Sequence, residues 1–499
     1  MLPHYRVFSL LALFLLSPLG FSLSGCGTQT TNLVTGETTR GAYSWQEEVQ
    51  LGTDANQQII AQYGLYDDPQ LAAYVDRIGQ AVLRTSAYGE ASTPAEIRNT
   101  PFYFQVLDSD VVNAFALPGG YTYVTRGLLA FLENEAQLAV VLGHEAGHVL
   151  ARHSSQRAAN AQLGQLGLLG AAVLGGVVGG GNVAEGILNY GGTGLQLLTL
   201  SYSRDAEREA DRAGVAYSEF AGYDAAEGAK FFRSLSRLGE QSGGSLPSFL
   251  STHPDPGERE QTIPQLAAQY DPQGTEVNAQ PYLQQIEGIV LGSNPRQGFT
   301  ENGMFYHPDL AFSFDYPNGW QVLNGAAAVQ IAEPNGRAVM EFTFAPEDSP
   351  QAAARAFAGQ QGFNLSSQEA TTVNGNQAYA ISGTANTQQG ELAIAAYFIE
   401  YGGTVYRFMG LTGANTFSQY RDEFLSTFRS FERLTNREYL NRQPVRLDVV
   451  QVDRAGSFQS FLRGRPSPIG LDENTLAIMN NVQLNETIPA GTALKLPRN

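Results

Sequence analysis

Apolar positions organise the chain before any motif does. Between Trp45 and Thr85, residues Val49, Ile59, Ile60, Leu71, Val75, Ile78 and Val82 recur at helical intervals, with a break at Asp67-Asp68-Pro69. Phe102 to Leu107 alternates like a strand, and Val111–Leu117 and Tyr121–Thr125 flank Pro118-Gly119-Gly120 as a hairpin. Asn134, with Gln137 three residues on, marks a helix start, and the uncharged run Leu138–Leu142 carries that helix into a core. Leu163–Leu200 is apolar but rich in glycine and interrupted by Gln165. Its hydrophobic density is low for insertion, which favours a cover or membrane-facing loop over a membrane-embedded pair. Ala221–Leu238 predicts a helix with Phe231, Phe232, Leu235 and Leu238 in its core.

Around Asp271-Pro272-Gln273-Gly274 the pattern turns polar, so a first domain ends between there and Gly298. Leu310–Val322 is strand-like, Leu392–Ile399 and Thr404–Leu411 form a hairpin across Gly402-Gly403, and Phe417, Tyr420, Phe424, Phe428 and Phe431 form an apolar helical stripe. Leu447–Val452, Leu476–Asn481 and Leu494–Pro497 make a strand–helix–strand ending.

Composition narrows the function classes. The formal charge of −18 over 499 residues, with only 30 Lys and Arg against 48 Asp and Glu, disfavours nucleic acid and anionic lipid as partners. A 43% hydrophobic and 16% charged chain is that of a folded protein of two to four domains. Cys26 is the single cysteine, so no internal disulfide and no thiol ligand set is available.

Chemistry concentrates at His144-Glu145-Ala146-Gly147-His148. Four residues separate the histidines, which puts both imidazoles on one helical face one turn apart. They can share one zinc ion (Zn2+), while Glu145 can take a proton from water beside it. Two histidines in an apolar helix would be costly to bury without a ligand. Catalytic zinc keeps three protein ligands, and the acidic helix opening at Ser203 supplies candidates. Glu207 is the expected third ligand, and Asp211, one turn on, is the carboxylate that orients a ligand imidazole. Glu209 points away and is expected as a solvated surface charge.

These residues, with Ser203-Arg204 leading to Glu207-Arg208-Glu209-Ala210-Asp211, resemble the M48 zinc metallopeptidases of the gluzincin group. Asn113-Ala114-Phe115-Ala116-Leu117-Pro118-Gly119-Gly120-Tyr121 resembles the strand and turn before the zinc helix in that family, and Thr252-His253-Pro254 with Arg259 resembles a segment of its BepA/LoiP-like periplasmic branch. The resemblance implies that His253 can occupy the open zinc position as a latch or fourth ligand. It also makes the 113–125 hairpin a candidate substrate rail, with Asn113, Gly119, Gly120 and Arg259 as candidate contacts to substrate or oxyanion; a purely structural hairpin is the alternative. Prolines at 254 and 256 predict a stiff turn around His253.

Val7–Leu16, too short to span a bilayer, ends at Leu23-Ser24-Gly25-Cys26, which resembles a bacterial lipobox and implies a lipid on Cys26. The expected organisation is α+β and multidomain: signal peptide 1–25, tether 26–42, mainly helical peptidase with a small sheet 43–272, linker 273–298, α/β domain 299–436 that loosely resembles PsbP, and a degenerate LysM-like module 443–499. The glycine turn of that module carries Ser457-Phe458, so glycan binding and docking on the peptidase both stay open. The expected function is a zinc metalloendopeptidase of the cell envelope, lipid-anchored and periplasm-facing with the outer membrane favoured, acting on unfolded or misassembled envelope proteins. Peptidoglycan or assembly machinery is a further candidate partner, and the alternative is a chaperone-like or scaffold lipoprotein that cleaves little.

Overall fold

A computed structural model describes residues 28–160, 202–241, 249, 253, 256–270, 274–387 and 390–499. The signal peptide at 1–25, the lipidation reading at Cys26, the Leu163–Leu200 segment and the prolyl turn at Pro254 lie outside the described residues. The α+β multidomain organisation holds, and the chain divides into two compact units: one contains residues 295–443, the other the remaining described residues.

The larger unit begins with strands β1 (Thr28–Thr31) and β2 (Thr38–Gly41), paired antiparallel. These strands lie in the stretch expected as a tether. Leu33 N–H donates to Leu150 O (3.1 Å) and Ala42 N–H to Ser155 O (3.1 Å), so the polar segment is fastened by backbone bonds that its threonine-rich composition did not reveal. Helix α1 (Trp45–Tyr63) opens on a Ser44–Glu47 capping box, and α2 (Pro69–Arg84) on Asp68 with proline in its first turn, which explains the break between them. Strands β3 (Tyr103–Leu107), β4 (Ala114–Leu117) and β5 (Tyr121–Thr125) form a small sheet in the order β3-β5-β4; β3 runs parallel and β4 antiparallel to the central β5, leaving β4 at an edge. Short helix α3 (Arg126–Phe131) leads to α4 (Glu135–Leu150), whose cap Asn134 accepts from Gln137 N–H at 2.9 Å.

Helix α4 is buried along its whole length because other elements surround it. Helix α5 (Arg204–Phe220), capped by Ser203, crosses it at small residues: a Cβ on Gly143 would stand 3.0 Å from Gly214 Cα, and one on Gly147 2.8 Å from Ala213 Cβ. Helix α6 (Gly228–Gln241) buries Phe231, Phe232 and Leu235, each contributing about 1.5–3 kcal/mol of apolar burial. Helix α7 (Pro256–Ala267) follows, then α8 (Ala279–Ile286) in the stretch expected as a linker. Tyr282 of α8 is fully buried and donates to Leu129 O at 2.6 Å, so the compact unit continues past the polar composition near Asp271.

The C-terminal segment also belongs to this unit. Strand Arg446–Gln451 pairs antiparallel with Ala493–Arg498 around helices Phe458–Leu462 and Glu473–Met479. Leu447, Phe458, Ile478 and Leu496 join the same apolar core as α2 and α4. Buried Lys495 donates from Nζ to Ala130 O (2.7 Å) and Leu132 O (2.8 Å) at the end of α3. The segment therefore packs on the peptidase core.

The smaller unit is an antiparallel seven-stranded sheet in the order 363–373, 376–387, 390–401, 404–413, 338–345, 328–332, 321–324, with a second sheet of four short strands and two main helices, Pro350–Ala358 and Phe417–Ser430. The aromatic stripe Tyr420, Phe424, Phe428 and Phe431 lies in its core beside Phe314 and Phe408.

Among the described residues, no helix is long and apolar enough to cross a membrane.

Candidate metal centre

Helix α4 places His144 and His148 one turn apart on the face that α5 covers. Their Nε2 atoms stand 3.0 Å from each other. From α5, Glu207 brings Oε1 to 3.4 Å from His148 Nε2 and Oε2 to 3.6 Å from His144 Nε2. His253 approaches from another side, with Nδ1 at 3.0 Å from Glu207 Oε1 and 3.3 Å from His144 Nε2. One donor atom from each of these four buried residues lies within 4.8 Å of every other, which is the arrangement that a single metal ion satisfies. Three nitrogen donors and one carboxylate, without sulfur, suit zinc among divalent ions.

Electrostatics fit the same use. Burial holds the His148 imidazole well below its ordinary range, and a neutral ring is the form that binds a metal. Burial by itself would raise the Glu207 carboxyl, but His253 and His148 beside it outweigh that and keep it ionised. Glu145 is fully buried, and burial raises its carboxyl. Neither Glu145 oxygen has a hydrogen-bond partner among the described residues, and His253 Nε2 stands 3.5 Å from Oε1.

A second layer holds the donors in place. Asp211 Oδ1 lies 3.0 Å from His144 Nδ1, so this ring can present Nε2 to a metal. Arg259, from α7, donates from Nε to Asp211 Oδ1 (3.0 Å), bonds it again through NH2, and stacks 4.2 Å from the centre of the Phe232 ring. Its NH1 lies 3.4 Å from Glu207 Oε2. The guanidinium thus faces the ligand carboxylates and is buried.

Gly119 and Gly120 are not brought to the metal centre. With φ of 78° and 105°, they turn the hairpin tightly over α1 and Pro101: a Cβ on Gly119 would meet Val49 Cα at 2.4 Å, and one on Gly120 would meet Pro101 O at 2.8 Å. Asn113 precedes edge strand β4, and its buried Oδ1 has no partner among the described residues.

The sequence reading missed His153, Tyr202 and the environment of Glu209. His153 Nδ1 is 2.8 Å from His148 Nδ1. Tyr202 stacks on the His148 ring with centroids 4.0 Å apart. Glu209, expected as a surface charge, is partly buried, accepts from Asn32 Nδ2 at 2.5 Å, and lies 3.7 Å from His153 Nε2. Spacing could not reveal this because Arg152 breaks the helix with φ 60°, a left-handed turn that swings His153 back onto the His148 ring. The turn is locked by Arg152, which donates to Glu48 Oε1 (2.7 Å) and Tyr43 O (2.8 Å).

A helix bearing H-E-x-x-H, crossed by a helix that adds a glutamate, defines the class: a gluzincin-type metallopeptidase fold. Residues 69–267 match the model of Peptidase family M48. The chain is 30% identical over 251 residues to the beta-barrel assembly-enhancing protease of Yersinia pestis, covering 48% of each chain. It is 27% identical over 262 residues to the Escherichia coli K12 protein of that name, covering 51% of each. The mitochondrial metalloendopeptidase OMA1 of Schizosaccharomyces pombe is 29% identical over 216 residues, 42% of this chain and 58% of the relative. The chain thus spans about half the length of the first of these curated relatives. Among solved structures, PsbP from Synechocystis matches 26% of this chain and 91% of its own at 17% identity and a TM-score of 0.23, a likeness that carries no argument about residues 299–436.

Proposed function

We propose that this chain is a zinc-dependent endopeptidase of the bacterial cell envelope, periplasm-facing and lipid-anchored through Cys26, that cleaves misfolded or misassembled envelope proteins. The observation that carries the reading is Glu145. A fully buried carboxylate without a hydrogen-bond partner among the described residues costs ~1–3 kcal/mol or more. A scaffold has no use for it, whereas a protease needs a base aimed into the metal cluster. The names of the bacterial relatives, beta-barrel assembly-enhancing proteases, support the substrate class and compartment.

His144, His148 and Glu207 would hold the ion. Bound zinc supplies Lewis-acid polarisation of the peptide carbonyl and acidifies water. Glu145 accepts the proton of the attacking water and returns it to the departing amine nitrogen; its burial raises the carboxyl, the direction that favours holding the proton between the two transfers. Asp211 and Arg259 keep His144 and Glu207 in register. Edge strand β4 offers its backbone to an extended substrate, with Asn113 at its start. His253, turned into the cluster through Nδ1, acts as a latch that an incoming substrate displaces.

The test is proteolysis of an unfolded protein by the full chain. Chelation should abolish cleavage, and one equivalent of zinc should restore it. Suppressed aggregation without any cleavage in the zinc-loaded protein would instead establish the chaperone-like alternative.

A further inference from the structure

Among the donor histidines and the described residues, His148 is the one whose second ring nitrogen faces another imidazole and not a carboxylate. For His148 to offer Nε2 to a metal, its Nδ1 carries the proton, and the atom 2.8 Å from that Nδ1 is His153 Nδ1. That nitrogen must then accept, which places the His153 proton on Nε2. His153 Nε2 in turn faces Glu209 Oε1 at 3.7 Å. Glu209 Oε1 is fixed from its other side by Asn32 Nδ2 at 2.5 Å, and Asn32 is only 3% exposed. Asn32 itself is held in the turn between β1 and β2, where its Oδ1 accepts from Val34 N–H (2.8 Å) and Thr35 N–H (3.2 Å) and its carbonyl from Gly36 N–H (2.8 Å). The hairpin is bound to the end of the metal helix by Leu33 N–H to Leu150 O. The 2.8 Å contact between the two Nδ1 atoms leaves His153 one tautomer once His148 donates, and that tautomer turns its Nε2 proton toward the Glu209 carboxylate.

We propose that Asn32, Glu209 and His153 form a positioning relay that runs from the N-terminal hairpin to His148 and fixes this ring for metal binding. The relay mirrors the Asp211–His144 pair with one imidazole more, and it makes the hairpin part of the metal site's support. Supporting partners of this kind typically change metal affinity about 10–100-fold when removed. His153, Glu209 and Asn32 are positioning residues, since none of them offers an atom to the donor cluster.

The relay rests on the zinc reading of the centre, so its test reads metal binding and not turnover. Zinc affinity of the full-length protein is measured by competition with a chromogenic chelator for wild type, His153→Ala, His153→Gln, Asn32→Ala and the Asn32→Ala/His153→Ala double variant. His153→Ala should weaken zinc about 10-fold or more. His153→Gln should recover most of the loss, because its amide oxygen can accept from His148 Nδ1 and its NH2 can donate to Glu209. Asn32→Ala should weaken zinc by a smaller factor, and that factor should vanish in the His153→Ala background, since Asn32 acts only through His153. Zinc affinity of His153→Ala within twofold of wild type, a glutamine variant no better than alanine, or full additivity of the two alanine changes would each overturn the relay. A wild-type protein that binds no zinc would overturn the metal reading itself.

Discussion

Replacing Gly214 by alanine should loosen the metal centre from behind. Helices α4 and α5 touch there closely enough that an added Cβ would lie 2.9 Å from His144 N and from Val140 O. Ordinary contact begins at 3.4 Å, so α5 must retreat by about 0.5 Å, the difference between the two distances. Metal sites tolerate only about 0.2 Å in ligand distance. Glu207 stands two helical turns before Gly214 on the same face, and a displacement of this size would pull its carboxylate away from both Nε2 atoms. Overpacking costs about 1–3 kcal/mol, while alanine in a helix regains about 1 kcal/mol relative to glycine. The net loss of stability is therefore up to about 2 kcal/mol. Zinc affinity carries the larger change, about 10-fold or more, in keeping with a displaced ligand. Chelator competition and thermal melts of the metal-free protein separate the two effects. A Gly214→Ala protein that melts higher than wild type and binds zinc equally well would refute the close-crossing argument.

The remaining predictions concern regulation and the C-terminal segment. His253→Ala should retain zinc and raise basal proteolysis, including self-cleavage; zinc-loaded protein that is inactive would make His253 part of the reaction, and unchanged activity would remove the latch. Burial lowers the Lys495 amine from 10.5 to about 8. Between those values the unfolded chain binds more protons than the native one, so this group makes stability rise with pH across that window. A neutral amine has two N–H groups for the two carbonyls that it meets. Melts of wild type and Lys495→Met from pH 7.5 to 9.5 should show a steeper rise for wild type; parallel curves would show that the buried amine does not titrate there.

Much of the centre was legible because helical periodicity does geometric work. The spacing of His144 and His148 fixes a shared face, and Glu207 with Asp211 repeats that logic on α5. What periodicity could not carry was anything set by a break in it. His153 falls off the face defined by His148 and returns only through the left-handed turn at Arg152. Asn32 sits in a polar, threonine-rich stretch whose value lies in backbone bonds to Leu150 and Ser155, invisible to composition. The strand pattern at Leu494–Pro497 does not reveal that the Lys495 amine is buried on the Ala130 and Leu132 carbonyls at the end of α3. At Gly119 and Gly120 the structure adds a packing reason for glycine that the sequence did not show, the tight approach to α1 and Pro101.

The central claim is that Glu145 is the base of a zinc peptidase. Its most direct test is cleavage of an unfolded protein by wild type and Glu145→Gln, with zinc content measured on both samples. Glutamine keeps the shape and removes the proton acceptor. The account predicts one zinc per chain in each protein and a loss of turnover of roughly three decades in the variant, the scale of a missing base together with its charge. Zinc-replete Glu145→Gln that still cleaves at the wild-type rate would contradict it.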